Sequence, residues 1–178
     1  GDFRVEVSDS NADDAVWTEI AAVDMPEGTD LNLKKTVDLR ENGKAREIPR
    51  YVRLYFTSGN GQAANRSIGV REFQVIGTKK SESGYETITG NIALNKTASA
   101  SGVEAAMPNL TADLAVDGQK SDTSRWSAPT MKSGNAQDQQ QTPQWLEIDL
   151  RNEVTNITSI DLYFYKLVYS IDYEIQTR

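Results

Sequence analysis

Phe3-Arg-Val-Glu-Val-Ser8 alternates apolar and polar residues at every step, putting Phe3, Val5 and Val7 on one face and Arg4, Glu6 and Ser8 on the other. Successive side chains of a strand point to opposite faces, so this pattern predicts a half-buried β-strand. The same period of two recurs in Tyr51-Val-Arg-Leu-Tyr-Phe56, with Val52, Leu54 and Phe56 together, and in Trp145–Leu150, with Leu146, Ile148 and Leu150 inward. Ile68–Ile76, Ile160–Phe164 and Tyr173–Thr177 complete the predicted strands. Loops rich in Gly, Asn, Ser and Asp, such as Ser58–Asn65 and Ser133–Pro143, separate them. No window holds an apolar stripe at helical spacing longer than about three turns. The chain is expected to be all-β, in the form of an antiparallel sandwich.

The 178 residues include no cysteine and no histidine. A chain of this length buries roughly 70% of the surface its unfolded form exposes, so one core can stand without covalent staples. The missing residue types exclude a disulfide scaffold, a thiolate metal site, a cysteine nucleophile and every histidine-based triad. The net charge of −7 is spread over both halves and disfavours phosphate backbones and anionic membranes as partners, so no nucleic acid is expected. No run of apolar residues is long enough to predict membrane insertion. Gly1-Asp2-Phe3 leads straight into alternating sequence, so either a signal was removed or this is an internal slice of a longer protein, and the slice is expected. The stretch 79–90 is polar and is expected to be a linker between residues 1–78 and 91–178. The Asn-X-Ser/Thr sequons at Asn65, Asn95, Asn109 and Asn156 are expected chance occurrences. For catalysis there is little: Glu147 and Asp149 fall on the outward face of a strand and Asp13-Asp14 in a turn, where solvated charge is usual. No nucleotide loop, nucleophile elbow or HExxH motif occurs, so the chain is not expected to be an enzyme. Trp17, Trp126 and Trp145 are expected in the core.

Asp2–Ser8 has a counterpart at the other end. Asp172-Tyr-Glu-Ile-Gln-Thr-Arg178 repeats the order acidic, aromatic, polar, aliphatic, polar, as if one strand occurred twice. Longer correspondences place this repeat. Asn91-Ile-Ala-Leu-Asn-Lys-Thr-Ala-Ser-Ala-Ser101, Ala115-Val-Asp-Gly118, Ser124-Arg-Trp-Ser127, Gln144-Trp-Leu-Glu-Ile-Asp-Leu150, Ile157-Thr-Ser-Ile-Asp-Leu162 and Asp172–Gln176 run in the order of the first part of a discoidin-like domain. Phe3–Asp9, Trp17-Thr-Glu19, Arg50-Tyr-Val-Arg-Leu54 and Ile68-Gly-Val-Arg-Glu-Phe-Gln-Val-Ile-Gly77 resemble the last part. The chain thus resembles the discoidin-like, coagulation-factor C-type family that includes family 32 carbohydrate-binding modules, with the late half preceding the early half. The resemblance implies an antiparallel jelly-roll sandwich with adjacent termini, from which a slice through two tandem repeats could close into one permuted sandwich. The duplicated strand would then compete for one slot, with Phe3–Ser8 expected to hold it and the surplus strand open to exchange with a second copy.

The resemblance also implies a structural calcium ion. Calcium takes six to eight oxygens at roughly 2.3–2.6 Å, which a tight loop with inward carbonyls supplies. Carried over, Asp117 and Ser124 would give side-chain oxygens, Leu114 and Gln119 carbonyls, and Glu72 a closing carboxylate with the Arg71 carbonyl beside it. Asp122 and Thr123 are alternative ligands. A solvated Asp-Gly turn is the competing explanation. The ligand site implied is a glycan site at the loop end, for galactose or an N-acetylhexosamine, with Asn65, Arg66, Tyr165 and Lys166 as candidate contacts. Many sugar-binding members carry an exposed aromatic where this chain has Asn65 and Arg66. The expected function is therefore a non-catalytic carbohydrate-binding module of a larger secreted or surface bacterial glycoside hydrolase or adhesin. A spacer of the same fold without a sugar site is the alternative.

Overall fold

A computed structural model describes residues 3–23, 34–48, 50–57, 68–80, 87–129, 143–151 and 155–165. These form strands β1 (Phe3–Ser8), β2 (Thr18–Val23), β3 (Lys34–Asp38), β4 (Arg46–Ile48), β5 (Tyr51–Phe56), β6 (Gly69–Lys80), β7 (Thr87–Asn91), β8 (Thr97–Ala100), β9 (Trp126–Ser127), β10 (Gln144–Asp149) and β11 (Thr155–Phe164). A 3-10 turn at Ala112–Ala115 is the sole helical element among the described residues. One sheet has the order β2-β1-β5-β10-β8. The other runs β3-β11-β6-β7, with β4 also on β11 and β9 also on β6. Every pairing is antiparallel.

The alternation in the sequence becomes the core. Phe3, Val5, Val7, Val52, Leu54, Leu146, Ile148, Val70, Phe73, Val75, Ile160 and Leu162 all belong to one buried cluster drawn from both sheets. Phe3 links them: its ring lies 5.5 Å from Phe56 within its own sheet and 6.1 Å from Phe164 in the other. Each large apolar side chain removed from water in this way stabilises the fold by about 1.5–3 kcal/mol.

Residues 1–78 and 91–178 both contribute strands to each sheet. β5 pairs with β10, setting Val52 against Ile148 and Leu54 against Leu146. β6 pairs with β11 from Val70 to Lys79. At one end of the β5–β10 pair, Arg50 reaches Asp149 by two hydrogen bonds, Nε at 2.8 Å and Nη2 at 2.5 Å. The Arg50 bonds hold the Asp149 carboxyl below its usual range against the opposing effect of burial.

Several expectations need correction. The stretch 79–90 is not wholly a linker: Lys79 and Lys80 continue β6, Thr87–Gly90 open β7, and the two strands pair as a hairpin. A period-two pattern is weak there because β7 is a sheet edge of Thr and Gly. Glu147 is not solvated. It is 5% exposed, and its Oε1 accepts from Asn11 Nδ2 and Ser99 Oγ, both at 3.3 Å. It lies in a row Glu6–Arg53–Glu147 across three strands on the outer face of the five-stranded sheet. Arg53 bonds Glu6 at 2.5 Å while its guanidinium sits 3.9 Å over the Trp17 ring, so the outer face is covered locally. Burial raises the Glu147 carboxyl above its usual value. Of the tryptophans only Trp126 is core, fully buried with Nε1 donating to the Gly102 carbonyl at 2.9 Å. Trp17 and Trp145 are half-buried, and Trp145 stands in the outward row of Tyr55. The repeat strand 173–177 lies outside the described residues.

Candidate functional site

A register shift in the β6–β11 ladder builds the site. Tyr163 faces Glu72 and Phe164 faces Val70, so Arg71 is the extra residue of a β-bulge. A bulge re-aims side chains that a regular strand would send to opposite faces. Here Arg71 and Glu72 both engage the loop that follows the 3-10 turn, residues 117–125.

The loop is fixed at its entry by burial of Ala115 and Val116 and by the Asn95 N–H bond to the Val116 carbonyl at 2.7 Å. Gly118 then adopts φ +83, a left-handed conformation that glycine enters without steric penalty. The turn aims two successive N–H groups at two carboxylates. Gly118 N–H donates to Glu72 Oε2 at 3.1 Å, and Gln119 N–H donates to Asp117 Oδ1 at 2.7 Å. Ser124 Oγ donates to Asp117 Oδ2, and Gln119 Nε2 lies 3.1 Å from the same oxygen. Asp117, Glu72, Ser124 and Gln119 therefore meet at one turn.

Glu72 is fully buried. Burial pushes its carboxyl up to about 7, opposed by the Gly118 N–H and reinforced by the negative charge of Asp117. A carboxylate kept from water beside a second carboxylate is the electrostatic setting that a cation relieves. The side-chain donors are all oxygens, the chemistry that suits a hard divalent ion. Among the described residues no three carboxylates come together, so any such ion would also draw on hydroxyl, carbonyl or water oxygens. Leu114 lies in the 3-10 turn before the loop, its N–H bonded to the Thr111 carbonyl at 3.3 Å. The Arg71 side chain pairs with the Asp122 carboxylate, which engages one of the alternative ligands. The other, Thr123, has its Oγ1 3.2 Å from Ser121 Oγ.

Beside this turn, Tyr165 is half-buried and lies under two guanidiniums, Arg125 at 3.7 Å and Arg71 at 5.7 Å from its ring centroid. The Tyr165 N–H bonds the Gly69 carbonyl at 2.9 Å. Asn65, Arg66 and Lys166 lie outside the described residues.

Asn91 and Arg125 were not singled out as site residues in the sequence. Asn91 Oδ1 accepts from the Val75 and Ala93 N–H groups at 3.2 and 3.1 Å, which turns its Nδ2 toward Glu72 Oε1 at 3.5 Å. The turn-forming habit of Asn is the signal that could have marked it. Arg125 is 6% exposed, and nothing in its local sequence announces that burial.

No protein-family model matches the chain, and no curated protein or solved structure matches it either.

Proposed function

We propose that this chain is a non-catalytic carbohydrate-binding module of discoidin-like type, acting within a larger secreted or surface bacterial protein. The observation that carries the reading is the convergence of Glu72 and Asp117 on the Gly118 turn, with the Arg–Tyr–Arg stack beside it. In this reading the sandwich is a jelly roll assembled in permuted order, late half first, because β5 and β6 find their partners in β10 and β11. Calcium would be held by Glu72, Asp117 and Ser124, with Gln119, Leu114 and Arg71 offering carbonyls. Its chemistry there is structural: it neutralises a buried carboxylate from one half of the chain and one from the other, so it clamps β6 to the 117–125 loop. As a module, the protein would raise the local concentration of an attached enzyme or adhesin at a glycan surface.

Galactose or an N-acetylhexosamine is the ligand class this reading starts from. Isothermal titration of the calcium-loaded protein with galactose and N-acetylgalactosamine tests it, and saturable heat with either sugar is expected. Absence of binding at millimolar sugar favours the second reading, a spacer of the same fold. One observation already leans that way: Arg125 covers the Tyr165 ring, which takes that face away from sugar C–H groups.

A further inference from the structure

The Arg125 guanidinium is a buried charge whose partners do not match it. Arginine keeps its proton in any protein environment, so it needs acceptors. Its Nη1 donates to the Asp122 carbonyl, and its Nη2 lies 3.3 Å from the Met107 sulfur, a weak acceptor. Its Nε is buried without a hydrogen-bond partner, and no carboxylate of the described residues forms an ion pair with it. Arg71, 8% exposed, pairs with the Asp122 carboxylate and faces the same tyrosine. Arg125 thus carries a buried positive charge that no described carboxylate answers, in a chain whose net charge is −7.

We propose that Arg125 and Arg71, stacked at Tyr165, form a subsite for the carboxylate or sulfate of an acidic glycan. The proposal rests on the carbohydrate-binding reading and names its ligand class. Access is short: Met107 is 43% exposed and the Asp122 side chain 47% exposed, so the guanidiniums lie one side chain beneath the surface. An incoming carboxylate that displaces the Met107 sulfur gains a charge-assisted bond to Nη2, in the planar geometry that guanidinium and carboxylate share. Sulfate offers the same acceptors. A neutral sugar gains neither this bond nor the covered tyrosine face.

Titration calorimetry of the whole chain in millimolar calcium and low salt, with methyl galactoside, galacturonate and galactose 6-sulfate, tests this. The acidic sugars are expected to bind about tenfold tighter than the neutral one, the worth of one charge-assisted bond. Binding of galacturonate alone, or of the sulfate alone, assigns the source of the anion. Arg125→Lys should bring acidic and neutral affinities together. Met107→Ala, a surface change that leaves both arginines, should tighten the acidic sugars more than the neutral one. Equal affinity for all three sugars overturns the anionic subsite and leaves the carbohydrate reading standing. No binding of any sugar overturns both. A Met107→Ala protein that shifts acidic and neutral affinities alike also contradicts the proposal.

Discussion

Glu72 concentrates the electrostatics of this molecule in one carboxyl. Its value of about 7, against 4.5 unfolded, means that between those pH values the folded protein holds a proton that the unfolded chain has released. Stability of the metal-free protein therefore falls as pH rises through that window and levels off above about 7, a change of order 3 kcal/mol from this group. Calcium acts in the opposite sense, because it binds the ionised carboxylate. The gap in melting temperature between calcium and EDTA samples should be small near pH 5 and full near pH 8. Asp117→Ala should close the gap at every pH, and Glu72→Gln should flatten the pH dependence of the metal-free protein. Equal melts with and without chelator at pH 8 contradict the calcium site. Asp117, Ser124 and Glu72 were nameable as candidates only through the resemblance, because they stand in the short motifs that carry it. Arg125 and Asn91 were not, since their roles depend on Met107, Asp122 and Glu72, contacts that only the folded chain supplies.

Among the described residues, the strands predicted from periodicity were β1, β5, β6, β10 and β11, and each of these is interior to its sheet. An interior strand packs one face on the core and is paired on both sides, so its apolar alternation is strong. The strands missed were β2, β3, β7 and β8 at the edges and the short β4 and β9. β8, Thr97-Ala-Ser-Ala100, offers only small residues. β3 begins with Lys34 and Lys35, which suit an edge that must not pair with another molecule. The longest ladder, β6 with β11, has its own weak point at Gly77. A Cβ there would stand 2.3 Å from the Asn156 carbonyl oxygen and 3.0 Å from Ile157 Cα, beside the shift in register between Ile157 and Ser159. These are backbone atoms and cannot swing aside. Gly77→Ala should lower stability by about 1–3 kcal/mol, the range for overpacking a filled interior. Chemical denaturation measures it, and a midpoint unchanged from the parent contradicts the close approach.

At the scale of the whole molecule, residues 1–78 and 91–178 share both sheets. The sequence suggested this arrangement through the order of its motifs, yet motif order alone could not distinguish one closed sandwich from two separate halves. That distinction lies in the pairings of β5 with β10 and β6 with β11, between residues about ninety positions apart. Such long-range pairings have no local signature. The same closure brings Glu72 and Arg71 from β6 onto the 117–125 loop, so the candidate site exists only when the halves meet. The claim that a glycan binds there is tested most directly by amide-resolved NMR of the calcium-loaded protein titrated with galacturonate and galactose. Shifts gathered at Met107, residues 118–125 and Tyr165 are the predicted result. No shift with either sugar, or shifts confined to the outer face of the five-stranded sheet around Tyr55 and Trp145, would contradict it.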